Sequence, residues 1–495
     1  MSIAVFSIAV GIVVFAASFG LTGSSVLSIV LAAISVAVAV ALFRRYPPLR
    51  GGDVSLPRPL AILSRVATLV AVAQVVRLAV FVAEPAWREF SNAPSSEWEV
   101  HHCCLTAYYV AASAAGTDRN IYDDSLYQLP GADPKAPLTP RSIGPFKVDM
   151  FEYPPPFLLL PRGLARLTSD FLRYRALGFA LHVAVVFGSI AAVARFLEGA
   201  TAPRALVLSS LVWAAYPTLS LLQKGNAQGI IVAIAMLAMV LFERRHEPIG
   251  GALLAYATLS KLFPGLLILY LLLQRRWRAA AWTGGWCVIL SVLTLVDVGS
   301  SPFLAFLDHL PGLLGGESFP ALRRAPGLAV NFSIPGLVFK ARLFGVTDSL
   351  FFASKIVGWL YTLFLVAVTV AVARRPTRHD EKPIVWMALL VFAMLRSPFL
   401  PQSYAAFPPL WLLTLMAAVW VKDARAALYA VVAWLALGVY WPQDWQVDPR
   451  ILAGFNLVPQ LATVLVAAIA LLRVYRAEVR IAPELALGKA ADAAP

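Results

Sequence analysis

The chain has 495 residues, of which 60% are hydrophobic and only 14% charged, and its mean hydropathy is +0.75. That is more apolar surface than a water-soluble core consumes, which excludes a soluble globular protein and indicates an integral membrane one. A net charge of +14 would suggest nucleic acid in a soluble protein. Here the basic residues fall in short clusters between apolar runs, Arg44-Arg45, Arg244-Arg245-His246, Arg275-Arg276-Trp277-Arg278 and Arg374-Arg375. They read as positive-inside anchors, so no nucleic-acid partner is expected. The cysteines are Cys103, Cys104 and Cys287; a bridge between adjacent cysteines is strained, so neither a disulfide framework nor a zinc set is predicted.

In chain order, apolar runs of membrane-crossing length lie near residues 3–20, 25–43, 60–83, 176–196, 205–222, 227–243, 279–297, 350–373, 383–395, 404–421, 425–441 and 456–473. The first has no basic region before it and no obvious cleavage site, and reads as a retained helix. With a broken segment at 250–274, the runs predict a single all-α polytopic membrane domain over 1–495, a bundle of about 12–14 transmembrane helices. Residues 84–152 and 298–349 are too polar to cross and are predicted as two long external loops bearing short amphipathic helices. Residues 474–495 are expected to form a short disordered tail. The abundance of Ala, Val, Leu and Arg suggests a bacterial inner (plasma) membrane.

The most informative residue is Lys261, inside Gly251–Leu273. A charged amine in an apolar stretch costs at least about 2.5 kcal/mol, so it is rare unless it faces a polar cavity and an anion. Pro264 follows three residues later; it lacks an amide hydrogen and clashes with the preceding turn, so the helix should break there. Either the segment enters and returns, putting Arg244-Arg245 and Arg275-Arg276 on one side, or it crosses once with a kink. Lys224, Asn226 and Gln228 sit at the turn between the 205–222 and 227–243 runs.

In the first loop, residues 98–115 show helical spacing, with His102, Thr106 and Tyr109 near one face and Glu99 one turn before His102. A Glu–His pair at that spacing suits a general base with an orienting carboxylate, and the same stretch suits an interfacial helix anchored by Trp and Tyr. His101-His102 raises the thought of a metal, but no third ligand is evident, so none is predicted. Asp118, Tyr122, Asp123, Asp149, Glu152 and Tyr153 follow; three prolines after Tyr153 predict a stiff extended turn leading into a short helix. In the second loop, Arg323, Arg324, Asn331 and Ser333 suit an anionic headgroup and sugar hydroxyls, or simply a solvated loop. Arg396, Gln402 and Tyr404 interrupt a late apolar stretch and should line the same cavity or a helix junction.

Five motifs in order carry a family resemblance: Tyr108-Tyr109-Val-Ala-Ala with Ile121-Tyr122-Asp123; Tyr153-Pro154-Pro155; Gly225-Asn226-Ala-Gln228; Lys261-Leu-Phe-Pro264 with Arg275-Arg276-Trp-Arg278; and Asn331-Phe-Ser333. Together, over about residues 60 to 425, they make the chain similar to the GT-C class of membrane glycosyltransferases, and it most resembles glycosyltransferase family 87. The resemblance implies a GT-C-like bundle. It also implies a sugar, mannose first, carried on a polyprenyl phosphate and transferred with inversion to a lipid or glycan acceptor at the periplasmic or external face.

Such a reaction needs a base for the acceptor hydroxyl and cations for the departing phosphate. Lys261 is the first choice for the phosphate, assisted by Lys224 and Arg323 or Arg324. The class usually carries an Asp in the first loop as base, but aligning Tyr108-Tyr109 puts His102 and Cys104 where acids are expected. His102, with an ordinary pKa near 6.5, is then the base candidate, and Glu99, Asp118 and Asp149 are the substitutes. The late motif also departs from the family, with Ser397-Pro398-Phe-Leu-Pro-Gln402-Ser-Tyr404 where Trp and paired His are frequent. Tyr122, Asp123, Glu152, Tyr153, Asn226, Gln228, Asn331, Ser333, Arg396, Gln402 and Tyr404 are left to bind substrate, with membrane lipids as the other partners and no cofactor expected. A lipid-linked-sugar flippase and a non-catalytic lipid-linked-sugar binder are the rival readings.

Overall fold

The computed structural model describes residues 2–45, 54–117, 119–129, 139–346, 350–441 and 447–491. Among them, eight helices are long and apolar enough to cross a membrane: Ile3–Thr22, Ser25–Arg45, Arg58–Ala83, Phe171–Phe196, Trp277–Val298, Leu350–Ala373, Gln402–Trp420 and Pro449–Arg476. Thr201–Trp213 and Tyr216–Lys224, bent by 68° at their junction, form a ninth if taken as one span. The protein is therefore an all-α polytopic membrane protein, and each predicted apolar run is helical, the 205–222 run being broken into Thr201–Leu208, Ser210–Trp213 and Tyr216–Lys224.

The count falls below the predicted 12–14 because several runs are shorter than a bilayer's thickness requires. Ala227–Glu243 and Lys382–Met394 are buried on nearly every side; a helix apolar all round belongs inside a bundle. The last helix, Pro449–Ala491, continues through most of the stretch expected to be a tail.

The broken segment is a hairpin. Glu247–Ser260 and Gly265–Leu273 are separate helices joined through residues 261–264. Arg276, after the second arm, donates from Nη1 to Glu243 Oε1 at 2.8 Å and from Nη2 to the Phe242 carbonyl at 2.7 Å, just before the first arm begins. Lys382 Nζ lies 2.6 Å from the other Glu243 oxygen. Both ends of the hairpin thus meet at one end of the bundle, which brings the two arginine clusters together. Fourteen residues at 1.5 Å each carry the first arm about 21 Å, nearly the span of the antiparallel Ala227–Glu243 helix beside it. Lys261, at the tip, meets the start of that helix, its Nζ 2.9 Å from Gln228 Oε1. The cation expected deep in an apolar helix sits instead where the hairpin reaches the polar turn at 225–228.

The first loop does not form the continuous helix expected over 98–115. Glu97–His101 is helical, His102–Cys103 is an extended strand (β1), and a helix resumes at Leu105–Ala114. Tertiary partners capture the intervening backbone. The second strand is Ser142–Ile143 (β2) and the third Phe146–Val148 (β3). β1 pairs parallel to β3 with His102 opposite Lys147 and Cys103 opposite Val148, and the Cys104 amide donates to the Lys224 carbonyl at 2.9 Å. Of the three prolines only Pro154 is extended, with φ −57 and ψ 152; Pro155 and Pro156 already form a 3₁₀ turn that leads into the helix Leu159–Leu167. Arg162 and Arg166 of that helix clasp Asp297 at the end of Trp277–Val298.

The second loop is tied to the late polar segment. Asn331 Nδ2 and Ser333 Oγ both donate to the Pro398 carbonyl at 2.8 Å, and Asn331 Oδ1 accepts from the Leu400 amide at 2.9 Å. Gly336 closes this knot: a Cβ there would lie 2.0 Å from Asn331 Nδ2 and 2.2 Å from Ser333 Oγ. Gly336→Ala is therefore expected to cost about 1–3 kcal/mol by overpacking. The check is thermal unfolding in detergent, in which Gly345→Ala, whose Cβ meets nothing within 4 Å, serves as a comparison carrying only backbone strain from its φ of +88.

Candidate functional site

The site is built where β3, the N-terminal turn of Leu105–Ala114, the turn at 225–228 and the hairpin tip converge. Gly225 makes the turn possible. It adopts φ +65, and a Cβ would stand 2.4 Å from Leu105 Cγ, so glycine alone meets both demands. Asn226 then caps Ala227–Glu243, its Oδ1 accepting the Gln228 amide at 2.9 Å, and its Nδ2 donates to Cys104 Sγ at 3.3 Å. The strand pairing brings Asp149, one residue beyond β3, alongside. Its amide donates to Thr106 Oγ1 at 3.0 Å, and its Oδ2 lies 3.6 Å from His102 Nε2.

His102 is held from several sides. Its ring stacks on Trp98 with centroids 4.0 Å apart, and its Nε2 lies 2.9 Å from the Tyr404 hydroxyl and 3.6 Å from Cys104 Sγ. Burial, and then the Lys224 charge, hold the imidazole well below its usual range. It is neutral at pH 7, so its approach to Asp149 is a polar contact and not an ion pair. The Asp149 side chain keeps 38% of its surface open to the recess, yet the surrounding protein strips bulk water from the carboxyl. Burial pushes it up to about 6, against the pull of the Met150 amide. Burial also raises the Cys104 thiol to about 12, with the Asp149 charge adding to it.

Glu152 faces the same recess, held well above the carboxylate range by burial and by Asp149, with Lys261 pulling the other way. Lys261 Nζ stands 5.2 Å above the Tyr153 ring, and the Tyr153 hydroxyl is 2.8 Å from that of Tyr108. Tyr122 donates to the Tyr153 carbonyl at 2.8 Å and stacks on His309 of the second loop at 5.0 Å.

The expected Glu99–His102 pair does not form. The backbone turns extended at His102, so Glu99 points inward and His102 toward the recess. Glu99, 1% exposed, meets Lys224, 0% exposed, at 2.6 Å. Tyr216 and Ser220 donate to the same carboxylate, and Gln223 donates to the Glu99 carbonyl.

His102, Asp149, Glu152, Tyr153, Asn226, Gln228, Lys261 and Tyr404 are thus brought together, with Tyr122 touching them. The other candidates lie elsewhere. Asp123 caps a 3₁₀ turn on the surface, Arg323 and Arg324 are exposed on the second loop, and Arg396 donates to Thr362 Oγ1 at 2.8 Å. Gln402 is buried, donating to the Val439 carbonyl at 3.2 Å, and Asn331 and Ser333 are spent on the knot. Asp118 lies outside the described residues. The sequence carries a signal for Tyr108, in the Tyr108-Tyr109 motif, and for His309, a lone histidine among the leucines of the second loop, but none that marks Trp98 as a site residue.

Removing one partner of a sealed ion pair leaves an uncompensated charge, which costs about 3–5 kcal/mol. Glu99→Ala is therefore expected to lower the unfolding temperature sharply, and Glu99→Gln with Lys224→Met to recover most of the loss. A double-mutant cycle followed by thermal unfolding measures both.

A family model, that of glycosyltransferase family 87, matches residues 151–400, a stretch that contains Glu152, Tyr153, Asn226, Gln228, Lys261 and the Asn331–Pro398 knot. No curated protein and no solved structure matches the chain. The many apolar helices and this match lead to one conclusion: the chain belongs to glycosyltransferase family 87 and is a membrane glycosyltransferase.

Proposed function

We propose that the protein transfers a hexose, mannose first, from a polyprenyl-phosphate donor to a hydroxyl of a lipid or glycan acceptor at the periplasmic or external face of the inner membrane, with inversion. The observation that carries this reading is Lys261. It is a cation at the tip of an apolar hairpin, with an amide and an aromatic face as neighbours and, among the described residues, no carboxylate within ion-pair distance. A lipid phosphate arriving from the bilayer supplies the missing anion.

Asp149 takes the role of base in preference to His102, whose imidazole is too weakly basic in this setting. The acceptor hydroxyl gives its proton to the Asp149 carboxylate as its oxygen bonds to the anomeric carbon. The bond from that carbon to the phosphate oxygen breaks, and the electron pair leaves on the lipid phosphate beside the Lys261 ammonium. Glu152, kept protonated, donates to a sugar hydroxyl. His102 and Tyr404 orient Asp149, while Lys224, neutralised by Glu99, braces the loop and does not bind phosphate.

In lipid nanodiscs with a polyprenyl-phosphate hexose and membrane-lipid acceptors, mass spectrometry should find a new glycolipid. Lys261→Ala is expected to lower turnover about 10²–10³-fold and Lys261→Arg to restore part of it; full turnover in Lys261→Ala would sink the phosphate role. Movement of the lipid-linked sugar across the bilayer with no new glycoside would favour the flippase.

The pH dependence follows from Asp149. Its folded value, about 6, lies above the ordinary carboxylate value, so the proton-accepting form appears as pH rises through that point. Turnover should climb through about pH 6 in the wild type. In Asp149→Asn it should be lower by about 10²–10⁴-fold and lose that limb; an unchanged limb would move the base elsewhere.

A further inference from the structure

We infer that His102, Cys104 and Asp149 form a site for one zinc-class divalent cation, and that filling it switches transfer off. One ligand atom from each lies within 4.8 Å of the others. His102 Nε2 is 3.6 Å from Cys104 Sγ and 3.6 Å from Asp149 Oδ2. Zinc holds thiolate sulfur at about 2.3 Å and imidazole nitrogen or carboxylate oxygen at about 2.0–2.2 Å, so a tetrahedral site has ligand-to-ligand edges of about 3.3–3.6 Å. The two edges from His102 Nε2 already match such a face, and the third, from Cys104 Sγ to Asp149, lies within 4.8 Å, within reach of a rotamer adjustment on binding.

They are also pre-positioned by unrelated means: His102 by stacking on Trp98, Asp149 by strand pairing and Thr106. Cys104 sits within 3.3 Å of both the Asn226 amide and the Tyr404 hydroxyl, two donors suited to a metal-bound thiolate. His102 and Cys104 are buried while Asp149 is 38% exposed, so a cation would approach from the Asp149 side, with water completing its coordination. One sulfur, one nitrogen and one oxygen select zinc or cobalt over magnesium or calcium.

Binding exchanges the Cys104 S–H proton for the metal and releases that proton to solvent, with no change in oxidation state. It also occupies the Asp149 carboxylate. The inhibitory half of the inference therefore rests on the proposed base; the site itself does not.

The test uses the full chain in detergent, stripped with a chelator and titrated with Co²⁺ alone. The expected result is one equivalent bound with a thiolate-to-cobalt charge-transfer band, displaced by Zn²⁺ and not by Mg²⁺. The band should vanish in Cys104→Ser, with thermal unfolding checked alongside, and affinity should fall at least about tenfold in Asp149→Asn. Folded protein with no thiolate band, or a band that survives Cys104→Ser, overturns the site and leaves a hydrogen-bonded cluster only. In turnover assays, Zn²⁺ should inhibit at the concentration that fills the site, and a chelator should reverse it. Undiminished transfer by the saturated protein overturns the switch.

Discussion

The sealed ion pair between Glu99 and Lys224 is the contact on which the rest of the site depends. It anchors the first loop to the end of a bundle helix at a point with no water to compete. From it follow the bond from the Cys104 amide to the Lys224 carbonyl, the left-handed turn at Gly225 and the cap at Asn226. Taking two charges out of water is expensive, and their attraction repays it only when further hydrogen bonds satisfy the remaining lone pairs. Tyr216 and Ser220 do this for Glu99. The arrangement serves position more than stability: it fixes the strand that carries His102 and the turn that carries Asn226 and Gln228.

A second constraint comes from the opposite end of the bundle. Glu243, shared by Arg276 and Lys382, closes the base of the hairpin. With its base pinned, the hairpin's length decides where its tip lies, and the tip lies against Gln228. Lys261 is thus held at the level of the polar turn by the matched lengths of two antiparallel helices, with no carboxylate among the described residues within ion-pair distance. The hairpin that carries Lys261 and the strand that leads into Asp149 and Glu152 are far apart in the chain and converge because both end at the level of the polar turn, where Lys261 and the Glu152 carboxyl interact electrostatically.

Much of the architecture was legible. Every apolar run became helical, although the 205–222 run is broken into three pieces, the break at Pro264 occurred where the missing amide demanded it, and of the prolines after Tyr153 only Pro154 is extended, the other two opening a 3₁₀ turn. Where the structure departs from local pattern, long-range partners override it. The helical spacing of 98–115 is real, but β3 and the Lys224 carbonyl claim the backbone at 102–104, so two residues a turn apart face different neighbours. Asn331 and Ser333 looked like sugar ligands, but a polar pair in an apolar setting equally fits a loop knot, and only the position of the Pro398 carbonyl distinguishes the two.

By itself the sequence determined the membrane class, the helices, the break beside Lys261 and the family resemblance, because these rest on hydropathy, proline chemistry and local motifs. Only the tertiary structure decided that the broken segment is a hairpin, that Glu99 and Lys224 neutralise each other, and that Asp149 joins His102 and Cys104. Those outcomes depend on which distant groups arrive within a few ångströms, and burial then sets the charge each one carries.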